Sequence, residues 1–284
     1  MFAIYDEKKN QASKNKRLPA WVALHFQETF DSHDKLMKIA RLTTQGLSLH
    51  IARPNLIRVL VKYQDIADDG KKLDSKTAEK QIKEAESDAS FIKREADKGF
   101  PVLNGFITIA LWSLLEEFAK GLVASWLLHR PSTLSSPEIG RIKVRVGDYA
   151  TLSRQDRALL LVEMLEQDIS SPLKNGINRF NSLLGIIGIN PKISAETSRE
   201  IFEFQKIRNG LAHRSGKVDR RFKEDCPWLN LKVGDDLSLN HGMVVRYAKA
   251  VSEYIVETLC CVGDAYGLPI RSDLLEREAA RVQS

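Results

Sequence analysis

Cysteine is scarce: only Cys226, Cys260 and Cys261 occur in 284 residues, an odd count with two members adjacent in a helical stretch. No disulfide framework can be drawn from them, and a reducing, cytoplasmic setting is the expectation. The polar stretch from Asp6 to Arg17 is not followed by the apolar core of a secretory signal. No Gly-rich phosphate loop and no internal repeat is found. His25, His33, His50, His129, His213 and His241 are scattered, without the close carboxylate or cysteine pairing of a metal site, so neither a metal nor a cofactor is expected. The longest apolar run, Gly105 to Leu128, carries Glu116, Glu117 and Lys120 in its middle. Each of those charges would be costly in hydrocarbon, and the run reads as a buried helix with no membrane partner.

What the sequence does have is hydrophobic material with helical spacing. Hydrophobic residues make up 43%, enough for a full core. Lys and Arg total 43 against 37 Asp and Glu, a formal net charge of +6 that favours phosphate-bearing partners without demanding one. Trp21 to Ile51 reads as one or two helices, and Pro54 opens another whose Leu56, Val59, Leu60, Tyr63 and Ile66 recur at helical spacing up to Asp68-Asp69-Gly70. From Lys76 to Ala96, a thin seam of Ala78, Ile82, Ala85, Ala89, Ile92 and Ala96 suits a helix laid on its own domain better than a coiled-coil dimer. Gly99 and Pro101 precede the apolar helix Leu103 to Leu128, and a Ser/Pro loop at 131–136 separates two helical groups. Ser153 with Asp156 opens a helix to about Gln167, Ile177 to Ile187 forms a short one, and Thr197 with Glu200 can cap the next. Leu229 to Val233 and Leu237 to Leu239 can pair as a small β-hairpin across Gly234-Asp235-Asp236. A last helix from about His241 to Cys261 buries Met243, Tyr247, Val251, Tyr254, Ile255, Thr258 and Leu259. The expected fold class is all-α. Its expected divisions are a polar tail at 1–20, a helical region at 21–99, a main helical domain at 100–267 and a tail at 268–284.

The helix spanning Glu200 to Arg214 carries the candidate chemistry. At about 100° per residue, Ile201, Phe204, Ile207 and Leu211 form its core stripe. Asn209 and His213 lie nearly opposite, with Arg208 at the edge and Phe202 on the outward face. Such a face suits contact with a second copy of the same helix, with Phe202 at the interface. Lys206, Arg214, Lys217, Arg220 and Arg221 surround it as a candidate RNA-binding patch, diluted by Glu203, Asp219, Glu224 and Asp225. Arg and His suffice for RNA cleavage by the ribose 2′-hydroxyl. Imidazole titrates near neutral pH and can move the proton, while a forked, permanently charged guanidinium holds the phosphate as negative charge builds. Asn209 can orient His213 or a phosphate oxygen. On the helix Leu103 to Leu128, Ser113, Glu116, Glu117 and Lys120 form a polar stripe that needs partners; Glu116 or Glu117 can serve the site or simply pair with Arg208.

The segment Arg208-Asn209-Gly210-Leu211-Ala212-His213 resembles the HEPN superfamily, whose members carry Arg, four to six residues, then His, usually with a polar residue after the Arg. With Gly216, Val218 and Asp219 following, it looks most like the branch found in RNA-cleaving toxins and phage-defence proteins. Ser113-Leu114-Leu115-Glu116-Glu117-Phe118 looks like that family's earlier core helix with its acidic position, matched first to Glu116. The resemblance spans about Phe100 to Gly267. It implies an antiparallel helical bundle that dimerises through the motif helices and cleaves RNA in a shared cleft lined by Arg208 and His213, with Asn209 and Glu116 beside them. An antitoxin or regulatory protein is a further implied partner. In one subgroup a Tyr two residues after the His is modified by the antitoxin; here that position is Ser215. Two alternatives stay open: a non-catalytic dimeric module that binds RNA or a regulatory protein through the same face, and a metal-dependent enzyme, which the scattered histidines disfavour.

Overall fold

A computed structural model describes residues 17–63, 74–168 and 175–282. The chain is an all-α helical bundle: twelve α-helices and no strand occur among the described residues. They are α1 (Ala20–His50), α2 (Arg53–Tyr63), α3 (Ser75–Asp97), α4 (Pro101–His129), α5 (Pro137–Gly140), α6 (Val146–Thr151), α7 (Arg154–Asp168), α8 (Ile177–Gly185), α9 (Ala195–His213), α10 (Arg220–Asp225), α11 (His241–Tyr266) and α12 (Ile270–Val282). Single 3-10 turns follow α4 and α10 at Pro131–Ser135 and Pro227–Leu229.

The apolar run becomes the central helix. Gly99 and Phe100 both adopt left-handed backbone, which turns the chain, and Pro101 then starts α4 where its missing N–H costs nothing. Helices α1, α7, α8, α9 and α11 all pack against α4. Leu111, Trp112, Leu115, Leu122 and Val123 are fully buried. Trp112 sits between Phe180 of α8 and Phe204 of α9, at ring distances of 5.5 and 5.1 Å. By length and hydropathy α4 could cross a membrane, but half of its most apolar window is covered by these neighbours.

Helix α1 is continuous and adds Val22 and Phe26 to the same core, Phe26 meeting Phe118 at 5.4 Å. The seam on α3 behaves as expected, with Ala78, Ala85 and Ile92 buried where α3 packs on α1 and α2. Helix α2 does not. Its inward positions are Pro54, Ile57 and Val61, whereas Leu56, Val59, Leu60 and Tyr63 are all at least half exposed. Spacing identifies an apolar face but not whether something covers it; Ile66 and the stop at 68–70 lie outside the described residues. Helix α11 continues past Cys261 to Tyr266, ending at left-handed Gly267, and 270–282 forms helix α12 on α11 instead of a tail.

The expected hairpin is absent. Residues 229–233 and 237–239 do not pair with each other; the loop instead bonds to the segment leaving α9. Val218 N–H donates to Asp235 O at 2.9 Å, Gly234 N–H to Val218 O at 2.8 Å and Leu237 N–H to Gly216 O at 2.7 Å. An isolated antiparallel bridge, Lys217 with Asp236, is the nearest approach to sheet there. Alternation signals extended backbone but does not name the partner.

Candidate functional site

Helix α9 starts one turn before the expected cap. Ser194 is the N-cap, its hydroxyl accepting the Thr197 N–H at 3.0 Å, while Thr197 Oγ1 donates to Glu253 of α11 at 2.6 Å. Ile201, Phe204 and Ile207 are buried to 1% exposure or less. Each contributes about 1.5–3 kcal/mol relative to an exposed side chain. Phe204 stacks on Tyr247 of α11 with centroids 5.0 Å apart.

One residue before Phe204, Glu203 is 4% exposed and satisfied by three donors: Trp228 Nε1 at 2.5 Å, Tyr247 OH at 2.6 Å and Arg246 Nη2 at 2.7 Å. Burial, reinforced by the hydrogen bond to Glu203, pushes the Tyr247 phenol far above its ordinary range, so it stays a donor. Sequence reading placed Glu203 among the surface acids that thin out the basic patch. It is a buried latch instead.

The motif occupies the last two turns. Gly210 lies where Leu237 presses on α9: a Cβ there would stand 2.3 Å from Leu237 Cδ1. Gly210 O also accepts the N–H groups of Arg214 and Gly216, both at 3.1 Å, and left-handed Ser215 and Gly216 end the helix. Arg208 is directed into the junction of α4, α8 and α9. Its Nη1 donates to Asn209 Oδ1 at 3.1 Å, its Nη2 stands 3.8 Å from Glu116 Oε2, and its buried Nε has no hydrogen-bond partner among the described residues. His213 is exposed at the end of α9. The fold therefore joins Glu116, Arg208 and Asn209, and Asn209 engages Arg208 and not His213. Within one chain the described contacts of Arg208 do not reach His213.

Three further charges belong to the junction. Arg179 of α8 binds Glu116 Oε1 through Nη1 at 2.6 Å and Glu166 Oε1 of α7 through Nε at 2.7 Å and Nη2 at 2.5 Å. Lys120 of α4 closes on Glu166 Oε2 at 2.7 Å. Burial pushes the Glu166 carboxyl up, but the hydrogen bonds from Lys120 and Arg179 outweigh it and hold the group below its ordinary value. Lys120 was visible in the polar stripe of α4. Arg179 and Glu166 were not, because four helices separated in sequence meet here. The only signal for Arg179 is a cation beside Phe180 on a helix whose other face is core.

The surrounding cations lie close to acids within residues 219–236. Lys206 is 11% exposed, with Asp225 at 2.8 Å and Asn175 at 3.3 Å. Lys217 pairs with Asp236 at 2.6 Å, Arg220 with Glu224 at 2.9 Å, Arg221 with Asp225 at 4.0 Å, and Arg214 with Asp219. All five have acidic neighbours. Exposed pairs of this kind are weak and can exchange a carboxylate for a phosphate, so the four surface cations stay usable, whereas Lys206 is committed to its own fold. Phe202 departs from expectation. Its ring lies 6.5 Å from Trp228 and under the Lys206 ammonium at 4.8 Å, and Gly176 crosses so close that a Cβ there would be 3.2 Å from Phe202 Cβ. Its own chain covers it in part.

The chain matches no protein-family model, no curated protein and no solved structure. Among the described residues, no three His, Cys, Asp or Glu side chains gather where they could hold a metal ion.

Proposed function

We propose that this chain is a metal-independent endoribonuclease of the HEPN kind, which uses the 2′-hydroxyl of RNA as nucleophile and works as a pair of chains, as a growth-arresting effector of the toxin or antiviral-defence type in the cytoplasm. The observation that carries the reading is the loose hold on Arg208: a guanidinium fixed in direction by Asn209 and 3.8 Å from its carboxylate, its side chain 23% exposed, on the helix that ends in exposed His213. Such a group is oriented but not neutralised. A phosphate can take its free donors while imidazole moves the proton. One protomer offers a single Arg and a single His directed apart, so base and acid from two copies make the better-equipped cleft.

The test is cleavage of mixed single-stranded and transfer RNA by purified protein in EDTA. Wild type cuts and leaves cyclic phosphate ends, while Arg208→Ala and His213→Ala each lose about 100-fold or more, the usual worth of a general acid or base. Folded protein that binds RNA and leaves it intact in every buffer removes the enzyme from consideration. The pairing of the surface cations with carboxylates favours a second reading, a non-catalytic module that binds RNA or a regulatory protein. His213→Asn separates the two, since cellular activity survives that substitution only in the second.

A further inference from the structure

The charges at the junction of α4, α7, α8 and α9 do not balance. Lys120, Arg179 and Arg208 face Glu116 and Glu166, an excess of one positive charge among side chains 17–30% exposed. The shortfall falls on Arg208. Arg179 holds Glu166 with two nitrogens and takes Glu116 Oε1 at 2.6 Å, whereas Arg208 receives only a 3.8 Å approach to Glu116 Oε2.

We propose that Arg179 is a positioning residue that restrains Glu116, so that Arg208 is aimed but left free for the phosphate of RNA. The inference rests on the ribonuclease reading for its substrate and on the coordinates for its mechanism. A carboxylate shared by two guanidinium groups is drawn to the one that holds it by the shorter contact. If Arg179 is removed, Glu116 has one remaining partner among these cations, and at such burial it closes on Arg208 as a tight pair. That pair then competes directly with the incoming phosphate. Glu166 keeps Arg179 in place from the far side, and Lys120 keeps Glu166 there, so the chain of contacts runs from α7 through α8 to the motif helix. No group in it transfers a proton, and only its last member touches RNA.

Arg179→Met lowers affinity for a fully 2′-O-methylated single-stranded RNA, which cannot be cleaved, by about tenfold or more, and raises KM for the cleavable RNA more than it lowers kcat. Adding Glu116→Gln to Arg179→Met restores affinity to within about threefold of Glu116→Gln alone, because the competing charge is gone. A double variant as weak as Arg179→Met, or weaker, overturns the proposal, as does an Arg179→Met protein with unchanged affinity. The Arg208 guanidinium protons, followed by NMR hydrogen exchange without RNA, exchange more slowly in Arg179→Met and return to the wild-type rate in the double variant. Unchanged exchange is equally decisive against it. If wild type neither binds nor cuts RNA, the ribonuclease reading fails alone and the exchange measurement still decides the role of Arg179. Should Arg179→Met not fold, Arg179→Gln, which removes the charge but keeps a polar side chain, carries the same comparisons.

Discussion

Histidine illustrates how little a residue's identity says before its surroundings are known. His213 and His25 are the same side chain on long helices, one exposed at a helix end and the other pressed against α4. His25 stacks on Phe118 with centroids 5.6 Å apart, donates through Nε2 to Phe118 O at 2.9 Å, and sits over Gly121, where a Cβ would come within 2.8 Å of its ring. Burial lowers its pKa from 6.5, against smaller upward contributions from the Phe118 carbonyl, Glu28 and Glu117. The folded state thus binds a proton less readily than the unfolded chain. The stability tied to neutral His25 is complete above pH 6.5 and is lost as pH falls through the lower folded value. Urea midpoints at about pH 7.5 and about pH 5.5 are expected to differ in wild type and to converge in His25→Gln, which cannot titrate. Equal pH sensitivity in the two proteins would assign the effect to other groups. Nothing in the spacing hints at this, because the ring that matters packs against a residue 93 positions away.

At the scale of elements, periodicity was informative wherever a helix has one buried side. The core stripe of α9 and the buried face of α11 follow from spacing, and the thin seam of α3 packs as its alanines suggest. Spacing was uninformative for α2, whose apolar face points outward, and for the 229–239 loop, which pairs with the end of α9. Polar contacts between helices were not legible either. Whether a glutamate is a solvated charge or a buried latch depends on which donors other helices bring. Glu203 binds α9 to α11 through Tyr247 and Arg246 and to the 3-10 turn through Trp228. Truncation strands the buried Tyr247 hydroxyl and takes the partner from the part-buried Trp228 N–H, while half-exposed Arg246 keeps Glu200 and solvent. Glu203→Ala is therefore expected to cost about 1–3 kcal/mol, read as a lower urea midpoint with an unchanged slope, and Glu203→Gln distinctly less. An alanine variant as stable as wild type would mean that the apolar contacts of Phe204 alone hold α9 in place.

For the whole molecule, the question is where a second chain would sit. The outward Phe202 of the helical wheel is partly covered by Trp228 and by the chain at Gly176, which leaves less of it for a second copy. The apolar surface on the other flank of the motif is not. Gly105 of α4 faces Leu211 of α9 across a gap that a Cβ would reduce to 3.8 Å, and next to that seam Val102 and Phe106 are 60% and 67% exposed. On the proposed two-copy reading, these exposed side chains on the α4 flank of the motif helix are the candidate contact between chains. The proposed shared cleft makes Phe106→Asp a discriminating variant, because it alters neither Arg208 nor His213. Light scattering on wild type is expected to give twice the chain mass, and the variant half of that, with RNA cleavage falling in proportion to the dimer lost. Recovery of cleavage as the variant is concentrated would follow from mass action on a weakened pair. A monomeric variant that cleaves at the wild-type rate would show that one chain holds a complete site, and the two-copy cleft would have to be abandoned while Arg208 and His213 kept their roles.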